Sequence, residues 1–301
     1  MKRLAKILWY GVCSAGVVAF LYGVWIICRV FLFDQFVIPT DSMRPTLIPG
    51  DRVIVDKTLL GARIYRDFNF NPGGGELSCW RTKGTRCLRH NDIAVFNFPQ
   101  HDGHINFVIN HVFCKRCIAL PGDTLWSENG YYKNSNYRGV LGIEEEQARF
   151  GTTPDSILPP KVINIFPYGD VSCYSIRNLP RIYVPRKGDV IRVTREVAVY
   201  YKMLLEWELG KSISWNDGES LAYAGDEPLF RHIFQHSYYF MAGDNVLDSN
   251  DSRYWGLVPE EYIVGVVTSI SYSKDVRTGK LLTERILKKV SSTTDTDNPN
   301  Y

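Results

Sequence analysis

The sequence lacks a strong net charge. Its 301 residues include 35 Lys and Arg against 32 Asp and Glu, which leaves a formal charge of +3. That balance gives no general reason to expect a polyanionic partner, so nucleic-acid binding is not predicted. Internal repeats and low-complexity stretches are also missing, and 45% apolar with 22% charged residues is ordinary globular composition. At ~150 residues per domain, the length allows two folded units.

Acidic residues are missing from the first 33 positions, and the remaining 268 residues carry a formal charge of −1. Residues 7–28 are 22 consecutive uncharged positions, about 33 Å of helix against a hydrocarbon layer of ~30 Å. The alternative is a removable secretion signal, whose apolar part is shorter and ends in small residues. Bulky residues continue here to position 33. The segment therefore predicts a retained transmembrane helix.

A second long apolar run is also missing, so we expect one span. Lys2, Arg3 and Lys6 precede the span and only Arg29 follows it. Because cytoplasmic flanks carry the excess of basic residues, the amino terminus is predicted to be cytoplasmic. Everything after residue 34 would then lie across the membrane.

The remainder of the chain is rich in β-branched and aromatic residues, and Gly, Pro and Asn residues separate these segments as turns would. This pattern is typical of a mainly β fold. A helix is predicted over 195–209, ended by Gly210, a loop at glycines 73–75, and disorder over 291–301. The predicted strands are 52–58, 92–99, 105–120, 189–194, 238–245 and 263–273.

The cysteines fall into separate groups. Cys13 and Cys28 lie in the apolar span, where they act as small hydrophobic residues. Cys79 and Cys87 lie in a Gly- and Arg-rich loop on the predicted outer side, and a disulfide between them stays open as an alternative. Cys173 has no obvious partner.

A metal site is one possible interpretation of five potential ligands that fall within seventeen residues: His101, His104, His111, Cys114 and Cys117. On a strand the two cysteines point to opposite faces, because their separation is odd, and a shared tetrahedral ion becomes awkward. His232 and His236 are four residues apart without further ligands, and we assign them no role. No metal and no cofactor is predicted.

The first segment with chemical potential follows the predicted span. Pro39 and Pro45 bracket Ser42 and restrict the backbone on both sides, as holding an exposed hydroxyl in place would require. The alternative is that Ser42 is a turn residue or a helix cap.

In the second segment, residues 114–123, Lys115 and Arg116 are adjacent in an apolar strand, so one of them must point inward. A buried Lys115 would have a lowered pKa and could serve as a base near neutrality. Arg116 could not, because its guanidinium stays protonated. The alternative is that both are surface charges of an edge strand.

The third segment, residues 243–256, has the composition of a compact loop held by side-chain hydrogen bonds. Asp251 and Arg253 can pair in it, and Ser249 could bond a neighbouring amine. A calcium loop is the alternative, but Glu260 and Glu261 do not fit the twelve-residue pattern.

Taken together and in this order, the three segments resemble the bacterial type I signal peptidases. The motifs are Ser-Met-x-Pro-Thr-Leu at 42–47, Gly-Asp-x-Val-x-Val at 50–55, Lys-Arg-x-x-x-Leu-Pro-Gly-Asp at 115–123, and Gly-Asp-Asn with Ser-x-Asp-Ser-Arg-x-Trp-Gly at 243–256. The similarity is weaker over 92–99 and 258–273, and slight over 60–90 and 124–237.

The resemblance implies a serine endopeptidase with a Ser/Lys dyad, in which Ser42 is the nucleophile and Lys115 the general base. It also implies an oxyanion hole formed by the Ser42 amide and the Thr40 hydroxyl, a serine in many relatives. Ser249 would orient the lysine. This assignment of Ser42 and Lys115 is chemically consistent, because a serine hydroxyl attacks only when a neighbouring base takes its proton.

The resemblance further implies that Asp251 and Arg253 form a structural pair near the dyad, while Asp244 and Asn245 shape the same loop. The implied substrates are secretory preproteins, cut after a small-x-small motif. An apolar surface at Phe36, Ile38 and Met43, together with Val37, lies close to the bilayer in sequence and suits a membrane-threaded substrate. The peptide is expected to add as a strand.

The fold expected from the resemblance is a mainly β, signal-peptidase/LexA-like catalytic domain built from 34–123 and 238–290. A β-rich second domain, 124–237, would be inserted into it, with 1–33 as cytoplasmic stub and anchor and 291–301 as a tail. We expect a monomer in the bacterial cytoplasmic membrane. Three alternatives stay open: a narrow-substrate pilus or conjugation peptidase, a self-cleaving repressor, which would be soluble and bind DNA, and a non-enzymatic membrane-tethered scaffold.

Overall fold

The computed structural model describes residues 2–67, 70–158, 162 and 175–290. It begins with helix α1, Lys2–Ile27, continued by a π-helical turn, Cys28–Leu32. Over Trp9–Leu32 the mean hydropathy is 2.1 and no residue is buried. Within the described residues this is one helix long and apolar enough to cross a membrane. The predicted apolar helix is therefore confirmed, and it runs four residues further than expected.

The rest of the described chain is mainly strand, with short helices α2 (Glu144–Thr152), α3 (Arg195–Tyr200), α4 (Lys202–Leu209) and α5 (Ser252–Trp255). The strands are β1 Phe33–Val37, β2 Asp51–Asp56, β3 Arg63–Tyr65, β4 Cys79–Arg81, β5 Ile93–Asn97, β6 Gln100–His101, β7 His104–Ile105, β8 Val112–Ala119, β9 Thr124–Glu128, β10 Tyr131–Asn134, β11 Ile182–Tyr183, β12 Val190–Arg192, β13 Ile213–Asn216, β14 Leu221–Ala224, β15 Glu227–Leu229, β16 Arg231–Ile233, β17 Tyr238–Ala242, β18 Val258–Pro259, β19 Ile263–Ser273 and β20 Lys288–Lys289.

One antiparallel sheet organises the molecule. Its strand order is β1-β2-β19-β5-β8-β17-β18, and β20 also pairs with β19. The order brings the ends of the chain together, because β2 and β5 both pair with β19, which lies about 200 residues later. Strand β8 is central, with β5 on one side and part of β17 on the other.

Both faces of this sheet are covered by apolar clusters. Val53 and Val55 of β2 alternate with half-buried residues and pack with Met43 and Leu47 on one face. Phe96, Cys117 and their neighbours pack on the other face. Because strand residues alternate between faces, Cys114 and Cys117 lie in opposite clusters, as predicted.

The described residues between 124 and 237 form smaller elements rather than one large sheet. Their strands build sheets β10-β9-β11, β12-β16 and β13-β14-β15, with helices α2, α3 and α4 alongside. Phe150, Leu205 and Phe234 share a core with Phe240 of β17, so this region packs directly on the main sheet. The division into two domains stays a prediction.

Two predicted elements are interrupted. The helix expected over 195–209 is present but breaks at Tyr201, and it ends at Gly210 in the left-handed conformation, with φ 62°. The strand expected over 105–120 is two strands, β7 and β8. The Asn97 amide donates hydrogen bonds to the carbonyls of Val108 and Ile109 at 3.0 and 2.9 Å, which holds the chain between them in a turn.

Several minor predictions concern cysteine, histidine and metals. Cys79 and Cys87 are free thiols. Cys173 and the tail 291–301 lie outside the described residues. Across the described ranges no three His, Cys, Asp or Glu side chains are grouped to hold a metal ion. His232 and His236 each contact a glutamate instead, Glu208 at 2.6 Å and Glu261 at 2.8 Å respectively.

Candidate active site

Ser42 lies in a short 3-10 turn, Asp41–Met43, that follows extended backbone at Thr40, with φ −129° and ψ 164°. The turn is fixed from below, because Met43 and Leu47 are buried in the core with exposed fractions of 1% and 0%. Ser42 itself is half-buried. The apolar anchors therefore hold the serine at the surface of the sheet, with its hydroxyl accessible.

The loop after β17 fixes the same turn from the side. The backbone amide of Asn245 donates to the Ser42 carbonyl at 3.1 Å, and its side-chain amide donates to the Asp41 carbonyl at 3.3 Å. Gly243 lies even closer: a Cβ there would stand 2.5 Å from the Ser42 carbonyl oxygen and 2.1 Å from the Ser249 hydroxyl. Only a residue without a side chain allows this approach.

Lys115 reaches Ser42 from the central strand β8. Its Nζ lies 2.5 Å from Ser42 Oγ, and Thr40 Oγ1 lies 3.2 Å from the same oxygen. The lysine is only 4% exposed. Burial lowers the pKa of its amine below the ordinary 10.5, and the Asp251 carboxylate opposes that shift only partly. The amine is thus disposed to be neutral and in contact with the serine hydroxyl.

Arg116, next in sequence, is buried on the opposite face, also at 4% exposure. Alternation along the strand predicts that one of Lys115 and Arg116 points inward, or that both are surface charges of an edge strand. Both are buried, because β8 is central and Arg116 has a buried counterion. Its Nε and Nη2 donate to the Asp244 carboxylate at 2.6 and 2.7 Å. Thr46 donates a further hydrogen bond to that carboxylate.

Asp251 and Arg253 form the predicted pair in the loop. Arg253 donates to both carboxylate oxygens at 2.7 Å and to the Val246 carbonyl at 2.9 Å. Asp251 also accepts from the Gly243 amide at 2.8 Å, so the pair supports the residue that touches the Ser42 turn. Although burial alone would raise the pKa of Asp251, the Arg253 guanidinium lowers it. The pair is therefore fully ionised at neutral pH.

Ser249 lies in this loop, and its role toward Lys115 stays a prediction. Its hydroxyl is buried and makes no hydrogen bond to Lys115 or to any other group of the described residues. It is close enough to Asp251 to help lower the pKa of that carboxyl. Ser249 therefore lies beside Asp251 and close to the Ser42 turn.

An open groove of about 520 Å³ runs past Ser42 and Lys115. Of the residues expected to bind substrate, Ile38 and Met43 form part of its floor. Phe36 does not line it and packs against the core instead. Burial raises the pKa of the Cys114 thiol to about 12, so this groove residue stays protonated and acts as a small apolar group. The lining residues are Ile38, Pro39, Thr40, Asp41, Ser42, Met43, Val112, Phe113, Cys114, Lys115, Asp248 and Asn250.

One wall of the groove is a free strand edge. Strand β8 pairs with β5 over its first five residues, 112–116. On its other side it pairs with β17 only at Arg116, Cys117 and Ala119. Within the described strands, residues 112–115 therefore have no partner on the groove side. An extended chain could pair there by main-chain hydrogen bonds.

Two buried ion pairs were missed by sequence reasoning. Arg116 and Asp244 were treated separately, although they pair across 128 positions. Arg285 binds Asp51 through Nε at 2.7 Å and donates to the Thr46 carbonyl at 3.1 Å, which ties the end of the chain to the segment after Ser42. The acidic residues were visible in the motifs. Their partners become identifiable only once strand pairing is known.

A serine hydroxyl against a buried amine, beside an open groove with a free strand edge, is an arrangement suited to peptide hydrolysis. Such an arrangement is typical of serine hydrolases in which lysine takes the place of histidine as the base.

Comparison with known proteins agrees with a role in peptide hydrolysis. The family described as "Signal peptidase, peptidase S26" matches residues 11–137 and 206–272. Signal peptidase I of Buchnera aphidicola subsp. Acyrthosiphon pisum is 30% identical over 253 residues, which covers 83% of this chain and 71% of the relative. Signal peptidase I of Pseudomonas aeruginosa is 25% identical over 253 residues, covering 80% of this chain and 65% of the relative. A solved signal peptidase I from Enterococcus faecalis matches 61% of this chain and 98% of its own at 17% identity, with a TM-score of 0.28, too low to bear on the fold.

This chain belongs to the signal peptidase family, peptidase S26. The resemblance inferred from the motifs is confirmed, and so is the mainly β architecture behind one apolar N-terminal helix. The protein is a membrane-anchored serine endopeptidase that removes signal peptides.

Proposed function

We propose that Ser42 and Lys115 are the catalytic dyad of this peptidase. The observation that carries the proposal is the 2.5 Å distance between Ser42 Oγ and a lysine Nζ that is buried and has a lowered pKa. The neutral amine takes the hydroxyl proton as Oγ attacks the scissile carbonyl carbon. It then passes that proton to the leaving amide nitrogen, and the acyl-enzyme forms. In the second half, the amine takes a proton from water, which attacks the ester and releases Ser42.

The oxyanion of each tetrahedral intermediate needs donors that are already in place. The Thr40 hydroxyl, 3.2 Å from Ser42 Oγ, is one candidate. The Ser42 amide is the other, because a residue at the start of a helical turn has no carbonyl partner within it. Both donors belong to one segment, which Asn245 holds through two hydrogen bonds. Asp244, Asp251 and Arg253 support this arrangement as positioning residues.

The substrate is a secretory preprotein that binds in extended form along residues 112–115. The unpaired edge of β8 supports this, because a peptide there would gain main-chain hydrogen bonds whatever its side chains. Side chains that alternate toward the floor would meet Ile38 and Met43, whose buried positions leave little depth. A shallow apolar floor fits small residues, which is consistent with cleavage after a small-x-small motif.

Helix α1 crosses the bacterial cytoplasmic membrane once, with its amino terminus in the cytoplasm and the catalytic domain outside. The three basic residues before the span and the single Arg29 after it support this orientation. Strand β1 begins at Phe33, directly after the span, and Ser42 follows β1 by only a few residues. The dyad would therefore lie near the bilayer that holds the substrate's own apolar segment. We propose a monomer.

The test uses the detergent-solubilised full chain with a model preprotein, and the cut is mapped by mass spectrometry. The wild type should cut after a small-x-small motif, and Ser42→Ala should abolish cleavage while the protein melts at an unchanged temperature. Gly75→Ala is the matched control, because a methyl group there meets no atom within 4 Å. Cleavage by Ser42→Ala at the wild-type rate would overturn the dyad, because the enzyme would then have to use another nucleophile.

A further inference from the structure

The groove beside Ser42 carries one exposed charge that the catalytic proposal does not use. Three of its lining residues are charged: Asp41, Lys115 and Asp248. Asp41 forms an ion pair with Arg44, and Lys115 is buried with a lowered pKa. Asp248 is exposed, and no cation among the described residues pairs with its carboxylate. The groove mouth therefore has an uncompensated negative charge.

The backbone holds Asp248 in place. Its amide donates to the Asn245 carbonyl at 3.1 Å, and Asn245 in turn binds the Ser42 turn. The carboxylate therefore belongs to the same rigid loop that positions the nucleophile. Apart from Asp41, which is paired with Arg44, and the buried Lys115, the other lining side chains carry no formal charge, so a charged side chain of the substrate would meet Asp248 as the unpaired fixed charge. The charged groups that act most strongly on the Lys115 amine are Asp251, Arg253 and Asp244.

We propose that Asp248 gives the groove a charge preference. It favours a lysine or arginine side chain, and disfavours glutamate or aspartate, at one position of the bound peptide close to the scissile bond. The inference rests on the proposed function, because it takes this groove as the substrate site. An exposed ion pair changes binding by about 1.4- to fivefold for each charge, so the lysine to glutamate ratio of kcat/KM should lie at about two- to 25-fold at that position.

The experiment uses a cleavable model peptide in which each position around the cut is replaced in turn by Lys, Gln or Glu. The wild-type enzyme should show the preference for Lys over Glu at one position at ~0.01 M salt and lose most of it at ~1 M, where the Debye length is ~3 Å. Asp248→Asn should bring the ratio close to 1, and Asp248→Lys should reverse it. Asp226→Asn removes another exposed carboxylate, in the turn between β14 and β15, and should leave the ratio unchanged.

Cleavage of the Gln peptides and its pH dependence distinguish a failure of the catalytic proposal from a failure of the Asp248 proposal. All variants should cleave the Gln peptides with the same dependence on pH, since Asp248 is not expected to act on Lys115. If the wild type does not cleave the Gln peptides, the proposed function itself fails. If the Gln peptides are cleaved but no position prefers Lys, or the preference survives in Asp248→Asn, the role of Asp248 is overturned and the catalytic proposal stands.

Discussion

Gly243→Ala is the sharpest structural test of how the nucleophile is positioned. A methyl group at this site would stand 2.5 Å from the Ser42 carbonyl oxygen, 2.1 Å from Ser249 Oγ and 2.6 Å from Ser249 Cβ, where ordinary contact is 3.4–4 Å. The Ser42 turn or the loop must therefore move by about 1 Å. A displacement of that size at a catalytic group costs about 10²-fold in rate. We expect kcat/KM to fall by about that factor.

The same overlap should cost about 1–3 kcal/mol of folding stability, typical of overpacking, so the variant should still fold. The assay pairs peptide cleavage with thermal melting of the detergent-solubilised protein. Gly75→Ala is the control, since it adds the same methyl group in open space, and it should change neither quantity. A Gly243→Ala enzyme within threefold of wild-type kcat/KM would refute the reasoning, because the turn would then tolerate displacement or the approach would be looser than described.

The remaining predictions concern the buried charges. Because burial lowers the pKa of Lys115, kcat/KM should rise with pH to a plateau, and the midpoint of the rise should lie below pH 10.5. Lys115→Arg should be as inactive as Lys115→Ala. A flat pH profile from about pH 6 to 10, with chemistry limiting, would contradict the role of Lys115 as the base. Lys115→Met should raise the free energy of unfolding at pH 7 by about 1.4 kcal/mol for each unit by which the folded protein lowers the lysine pKa, because below pH 10.5 the unfolded chain binds this proton more tightly. In urea unfolding the gain should vanish near pH 11, and an unchanged gain at that pH would contradict the lowered pKa. Asp244→Asn should cost about 3–5 kcal/mol in the same urea assay by leaving Arg116 buried without its counterion, while Asp226→Asn should be neutral.

Local features of the fold were predictable because they depend on neighbours in sequence. The uncharged run of α1 and the β-branched and aromatic content of β2 and β19 predicted the correct elements from local sequence alone. The turn between β7 and β8 was not predictable, since it depends on the distant side chain of Asn97, which binds two of its carbonyls. Where a tertiary contact decides the backbone conformation, the pattern of one segment is insufficient.

The candidate site divides in the same way. Ser42 and Lys115 are 73 positions apart, and their pairing was inferred from a family resemblance rather than from any local pattern. Arg285 and Asp51, 234 positions apart, were not connected at all, because that contact depends on the register of β20 and β19. Phe36 was predicted to bind substrate because it is apolar and lies close in sequence to the predicted membrane span. The pleat of β1 turns it into the core instead.

Lys115 and Arg116 show how one strand supplies two chemistries from two adjacent cations. Both are 4% exposed. Arg116 makes a two-pronged contact to the Asp244 carboxylate, which gives it a structural role, whereas burial lowers the pKa of Lys115. The carboxylate that acts most strongly on Lys115, Asp251, is already bound on both oxygens by Arg253, so it offsets the effect of burial on the lysine pKa only in part. The loop over 243–253 therefore decides both outcomes. It gives one acid to the arginine and withholds the other from the lysine, so the pKa of the amine beside Ser42 stays lowered by burial.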